Sequence, residues 1–149
     1  MDTCSPQNSA LANRRHSFMH NGNEALLRCR FDVAQKMFQQ ALENVSSEDA
    51  WENPEVAEIM VHLGQLAAQD GHVDKAIGMF KLAAFIYSKA GLERNVVLAM
   101  EMAAHLCRAQ GKFQECHHIL DLISAREKKH AKSSPVMQIS PPVTLAIVG

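Results

Sequence analysis

The chain has 149 residues, enough for one ordinary domain, and 47% of them are apolar, so the material for a core is present. Its 15 basic and 16 acidic residues leave a net charge of −1, which gives no general attraction to phosphate backbones or anionic membranes and argues against nucleic-acid and membrane partners. No stretch approaches the roughly 18 apolar residues a membrane helix needs. The start, MDTCSPQNSALANRR, lacks the apolar run of a signal peptide, and Cys4, Cys29, Cys107 and Cys116 form no CxxC pair, which reads as free thiols in a reducing, cytoplasmic setting.

Residues 1–10 carry no periodic pattern and read as disordered. Apolar periodicity then predicts helices at about 11–28 and 31–45, grouped as a first unit over 11–45. Asn21–Gly22–Asn23 fits a turn as well as a helix; the following ALLRCRF matches later segments, which favours continuity. Ser46 to Asn53 is the longest linker. Asn53 followed by Pro54 is an N-cap with proline in the first turn, the start of a helix over 54–70. A partner helix over 73–90 completes a second unit, 54–90. Helices over 92–110 and 113–128 make a third, 92–128. Gly71, Gly91 and Gly111 stand just past helix ends, where a left-handed residue closes the last turn. The tail from 129 turns polar and basic, then carries three prolines, and reads as disordered.

The three units share one stripe. Phe31, Ala34, Phe38 and Ala41 correspond to Val73, Ala76, Phe80 and Ala83, and to Phe113, Cys116, Leu120 and Ile123. Spacings of 3, 4 and 3 residues within each set describe one face of an α-helix. Ala34 to Ala76 is 42 residues and Ala76 to Cys116 is 40. Gly22, Gly64 and Ala104 in the preceding helices are small enough to let each pair approach closely, with Phe38, Phe80 or Leu120 filling the gap.

Gly71, Val73, Ala76, Phe80 and Ala83, with Gly64 before them, resemble the tetratricopeptide repeat (TPR) family. The resemblance covers about residues 11–128. Unit one has Cys29 at the turn glycine, and unit three has Cys116 and Ile123 at small positions. The family period is about 34 residues, so the longer recurrence here is closer to the variants of kinesin light chain and some signalling adaptors. The resemblance implies an all-α fold: an α-solenoid of three helix-turn-helix repeats in a right-handed superhelix. It also implies a concave groove, lined by the first helix of each unit, that holds a partner's peptide or helix. By alignment the groove residues are Met19, Asn23, Glu58, Val61, Gln65, Leu98, Glu101, His105 and Arg108. A carboxylate clamp of the chaperone-binding kind is disfavoured, because Met19, Glu101 and His105 stand where its cations belong.

Chemistry is weakly signalled. His105, Cys107, Cys116, His117 and His118 cluster in sequence, but without the spacing of a zinc site; a Cys–His pair could be a nucleophile and its base, yet no oxyanion hole, orienting third group or phosphate cradle accompanies it. Buried cysteines acting as small hydrophobes are the plainer reading. Met60, Met79, Met100 and Met102 sit at core spacing, and Arg126 to Lys132 reads as a solvated helix end rather than an import signal. The expectation is an adaptor or scaffold module without cofactor, metal or enzymatic activity. Two alternatives stand beside it: a dedicated chaperone for a client protein, and a short isoform or fragment of a longer TPR scaffold. Solenoids need polar caps; none follows unit three, so Phe113, Leu120 and Ile123 are expected to leave an open apolar edge and a route to self-association.

Overall fold

A computed structural model describes residues 6–133, and all six elements within that range are α-helices: α1 Pro6–Leu27, α2 Phe31–Glu43, α3 Pro54–Gln69, α4 Val73–Lys89, α5 Glu93–Ala109 and α6 Phe113–Ser133. Each packs on its neighbour in sequence. Three apolar clusters hold them together. One joins α1, α2 and α3 through Met19, Phe38, Ile59 and Leu63. Another joins α3, α4 and α5 through Val56, Ile86 and Val96. The third carries Phe80 of α4 into Ala104 and Cys107 of α5 and Ile119 and Ile123 of α6.

Four of the five connections are one repeated turn. The amides of Arg30, His72, Leu92 and Lys112 reach back five residues to the carbonyls of Ala25, Ala67, Tyr87 and Cys107, at 2.8 to 3.0 Å. The residue before each one bonds three residues back, which completes a Schellman closure. That residue needs positive φ: +86° at Gly71, and +76° at Gly91 and Gly111. In the first turn it is Cys29, at φ 57°, the one non-glycine residue in this region among the described residues. The carbonyls of Arg30, His72, Leu92 and Lys112 then accept the first amides of the next helix, so three residues suffice to reverse the chain. Seventeen-residue α4 and α5 with these turns yield the 40-residue recurrence. The 42-residue spacing has a different origin: α2 is shorter, and a ten-residue linker follows it.

That linker is fixed at both ends. Asn53 Oδ1 accepts the Glu55 amide at 3.0 Å, with Pro54 in the first turn of α3. Arg15 of α1, 8% exposed, donates to the Asn44 carbonyl at 3.3 Å and pairs with Glu55 at 3.1 Å. Trp51 meets Phe85 of α4 edge-on, with ring centroids 6.2 Å apart.

Two helix ends differ from the sequence expectation. α1 begins at Pro6, inside the stretch read as disordered, because proline is well suited to a first helical turn. α6 runs to Ser133, past the expected end at 128: its last turns are rich in Lys and His, which a helix C-terminus favours, and His130 reaches Glu93 at 3.4 Å. The rest of both stretches expected to be disordered, 1–5 and 134–149, lies outside the described residues. Helix α1 runs unbroken through Asn21–Gly22–Asn23, so the turn alternative there falls. Gly22 instead serves close approach: a Cβ there would stand 2.8 Å from the Phe38 ring. The same contact recurs at Gly64, where a Cβ would stand 3.0 Å from the ring of Phe80. No helix among the described residues is long and apolar enough to cross a membrane.

Candidate functional site

A groove of about 580 Å³ lies between α3 and α5. Its floor is Phe80 and Tyr87 of α4, both buried. One wall is Val61, Gln65 and Ala68 of α3; the other includes Leu98, Glu101, Met102 and His105 of α5. The groove follows from the short turns. With three-residue reversals on both sides of α4, α3 and α5 flank it on one side. Residues at i, i+3 or i+4, and i+7 on each then face the same hollow.

Five of the nine residues expected in the groove line this space: Val61, Gln65, Leu98, Glu101 and His105. Leu98 is 52% exposed, a large apolar side chain held at the surface beside an apolar floor. Glu58 and Arg108 are exposed on α3 and α5 but outside the lining, and Asn23 is exposed on α1. Met19 is corrected: it is 7% exposed and packs in the cluster around Phe38, so it belongs to the core and offers no groove surface. Tyr87, Asn95 and Met102 were not expected there. Tyr87 is seven residues past Phe80 on the same α4 stripe, and Met102 is 40 residues past His62, so the recurrence contained the signal for both.

Burial raises the Tyr87 hydroxyl above its ordinary range, the Asn95 hydrogen bond opposes this, and the charge of Glu58 adds to it. Glu58 is held below the usual carboxylate value by its His62 partner, 3.9 Å away, against partial burial. His62 itself stacks on Phe38, with centroids 4.6 Å apart and planes within 12°. Within the lining the ionisable residues of α5 are Glu101, at the middle of the helix, and His105, one turn further on.

A second hollow of about 420 Å³ lies between α4 and α6 beside Phe85, Met100 and Leu122. Its charges are engaged within the fold. Lys81 pairs with Glu115, and Arg126 grips both oxygens of Glu93 at 2.9 and 2.7 Å while also donating to Ser88 at 3.3 Å. Arg126 holds Glu93 below the ordinary carboxylate value.

The Cys–His cluster read from the sequence is dispersed. Cys107 and Cys116 are buried in one core cluster, whereas His105, His117 and His118 are exposed. Burial raises the Cys107 thiol, which opposes formation of a nucleophilic thiolate. Among the described residues, no three His, Cys, Asp or Glu side chains stand together as a metal site would need. At the C-terminal end, Phe113 is 60% and Leu120 43% exposed, as expected of an uncovered edge. Ile123 departs from that expectation: it is 5% exposed, because it turns inward onto the α4–α5 cluster.

Comparison with family models, with curated proteins and with solved structures finds no match to this chain.

Proposed function

We propose that the six helices are three TPR-like hairpins arranged as a right-handed α-solenoid, and that the chain is a protein–protein interaction module of the adaptor or scaffold kind. The partner, a peptide or helix of another protein, lies in the groove between α3 and α5. The observation that carries this reading is the open space of about 580 Å³ with Phe80 and Tyr87 as its floor and Leu98 left half-exposed on its wall. A concave, mostly apolar surface with a few convergent polar groups is the usual form of a binding site. The recurring Schellman turns and the paired contacts Gly22–Phe38 and Gly64–Phe80 support the repeat arrangement. The reading assigns no catalysis, cofactor, nucleic acid or membrane to the chain, and the free thiols at Cys29, Cys107 and Cys116 suit a reducing cytoplasm.

Affinity purification with mass spectrometry tests this, using wild type beside Leu98→Asp. Leu98 is half-exposed and lies outside the core clusters, so the variant should keep its far-UV circular dichroism and lose the captured partner. Retention of every partner by Leu98→Asp sinks the groove reading. A client chaperone uses the same groove and differs in outcome: co-expression would rescue an otherwise unstable client.

A second reading has its own observation. Phe113 and Leu120 leave apolar surface at the last helix, as at the open edge of a longer array or of a self-associating chain. Sedimentation over a hundredfold concentration range should then show a mass that rises with concentration and falls back in Leu120→Lys. A constant monomer mass removes self-association.

A further inference from the structure

We infer that the hollow between α4 and α6 is a docking surface for this chain's own residues 134–149. Three large apolar side chains border one surface there. Phe85 of α4 is 49% and Leu122 of α6 is 44% exposed, and both line the hollow of about 420 Å³. Phe85 also borders a shallower hollow with Trp51, which is 54% exposed, so the apolar surface runs on past α4 to the linker. Ala84, Val96 and Met100 lie in the same lining as Phe85 and Leu122 and keep it apolar. Contiguous exposed apolar surface marks a place of contact.

Its charges select an uncharged guest. Lys81 is paired with Glu115 and Arg126 with Glu93, so each Lys, Arg and Glu of the lining already has an ionic partner within the fold. His118 is the one other titratable group in the lining. A charged side chain entering beside Phe85 and Met100 would give up water without gaining a free Lys, Arg or carboxylate in return. Residues 134–149, SPVMQISPPVTLAIVG, contain no Asp, Glu, Lys, Arg or His. All 15 basic and 16 acidic residues of the chain precede them, and no other stretch of this length is free of charge. Within it Val143 to Val148 is apolar apart from Thr144, which matches the hollow in character.

The segment is attached where it can reach. On α6 the hollow runs from Arg126 back to Glu115, and α6 ends at Ser133. At 1.5 Å per residue, those two residues stand about 10 and 27 Å from the helix end. Val143 is ten residues past Ser133. At about 3.3 Å per extended residue it can be carried about 33 Å, so the apolar stretch reaches every part of the hollow. A short tether also holds its segment at an effective concentration of about millimolar. A contact too weak to join two chains at micromolar protein therefore still forms within one.

Photo-crosslinking in the full chain tests the contact. Benzoylphenylalanine is placed at position 145, the chain is irradiated over a hundredfold range of concentration, and mass spectrometry maps the joined residues. The expected crosslinks fall on Phe85, Met100 or Leu122 of the same chain, with a yield that dilution leaves unchanged. Ile147→Asp, which alters nothing in residues 6–133, should cut that yield about ten-fold, the loss of one apolar contact. Leu122→Asp, with circular dichroism to confirm that it is folded, should do the same, while Leu98→Asp on α5 should leave the yield as it is. Crosslinks on Leu98 or Met102 overturn the inference by placing the segment in the α3–α5 groove. Crosslinks between two chains, with a yield that falls on dilution, overturn it in favour of a second copy. Scattered or absent crosslinks, or a yield indifferent to Ile147→Asp, overturn it outright.

Discussion

Phe38 and Phe80 are 0% and 2% exposed, yet Leu120, at the same place in the third unit, is 43% exposed. A small residue precedes each by 16 positions: Gly22, Gly64 and Ala104. What differs is the helix that comes next. His62 of α3 lies flat on Phe38, and Met102 of α5 packs on the cluster that holds Phe80. Within the described residues no helix follows α6, so no described helix takes that role over Leu120. The contrast teaches that the stripe residue is buried by two neighbours, the partner helix within its unit and the first helix of the next. Sequence periodicity reports the first of these and is silent on the second.

The largest expected effect comes from truncating the stripe. Phe80→Ala should cost about 3–5 kcal/mol, the range for a fully buried aromatic, and Phe38→Ala should fall in the same range. Leu120→Ala should cost about 1 kcal/mol, since much of its area is already in water. Urea denaturation of the three variants checks the ordering. A Leu120→Ala cost equal to that of Phe80→Ala would mean that something covers α6 in solution, and the comparison of interior and terminal units would fail.

The small residues beneath the stripe sharpen the same contrast. Gly22→Ala and Gly64→Ala drive a methyl toward a buried ring, at 2.8 and 3.0 Å. Overpacking of this kind costs about 1–3 kcal/mol, only partly offset by the better helix propensity of alanine. Gly78 on α4 has nothing within 4 Å of the corresponding position, so Gly78→Ala should stabilise by about 0.5–1 kcal/mol. Opposite signs in thermal melts would show that contact, not helix propensity, keeps glycine at 22 and 64. Unit three already has alanine at that place, Ala104, and its stripe residue is the part-exposed Leu120 rather than a buried ring.

The turns compare in a different way. Gly71, Gly91 and Gly111 supply the positive φ without steric penalty, while Cys29 adopts φ 57° with a side chain. Cys29→Gly should raise stability by about 1 kcal/mol, the cost of a left-handed residue bearing a Cβ. Gly91→Ala should lower it by a similar amount. No gain from Cys29→Gly would mean that the first turn relaxes in solution and that unit one closes differently from the others.

The limits of the sequence are visible in these residues. The helices, the stripe and the closing glycines were legible because each rests on local chemistry: a period near 3.6, a small residue opposite a ring, a left-handed cap. Five of the residues that the resemblance placed in a groove line the hollow between α3 and α5. Met19 was misplaced because its register was carried over by alignment, whereas in α1 it packs into the cluster with Phe38 of α2 and Ile59 and Leu63 of α3. Arg15 gave no warning of its burial, since one partner, Asn44, lies in a linker that the recurrence does not contain and the other, Glu55, opens α3 forty residues away. Cys29 looked like a missing feature and is the same turn under strain.

The smallest expected effect concerns how the last helix is held. Apolar contact on one face of α6 is supplemented by Arg126, which grips Glu93, with His130 adding to the pair. Arg126 lowers the Glu93 carboxyl below its ordinary value of 4.5. A depressed carboxylate contributes stability that is complete above its unfolded value and is lost as pH falls through the folded one. The pair should therefore weaken only below about pH 4.5, where Glu93 gains a proton in the unfolded chain first. Glu93→Gln should cost about 0.5 kcal/mol at neutral pH, the screened worth of a part-exposed pair. It should also flatten the acid limb of the stability curve relative to wild type. Hydrogen exchange locates the loss: α6 amides should open more readily in the variant while those of α3 and α4 stay protected. If the variant instead loosened α1 and α2 equally, α6 would be one cooperative unit with the rest, and the distinction between an interior held from two sides and an end held from one would not survive.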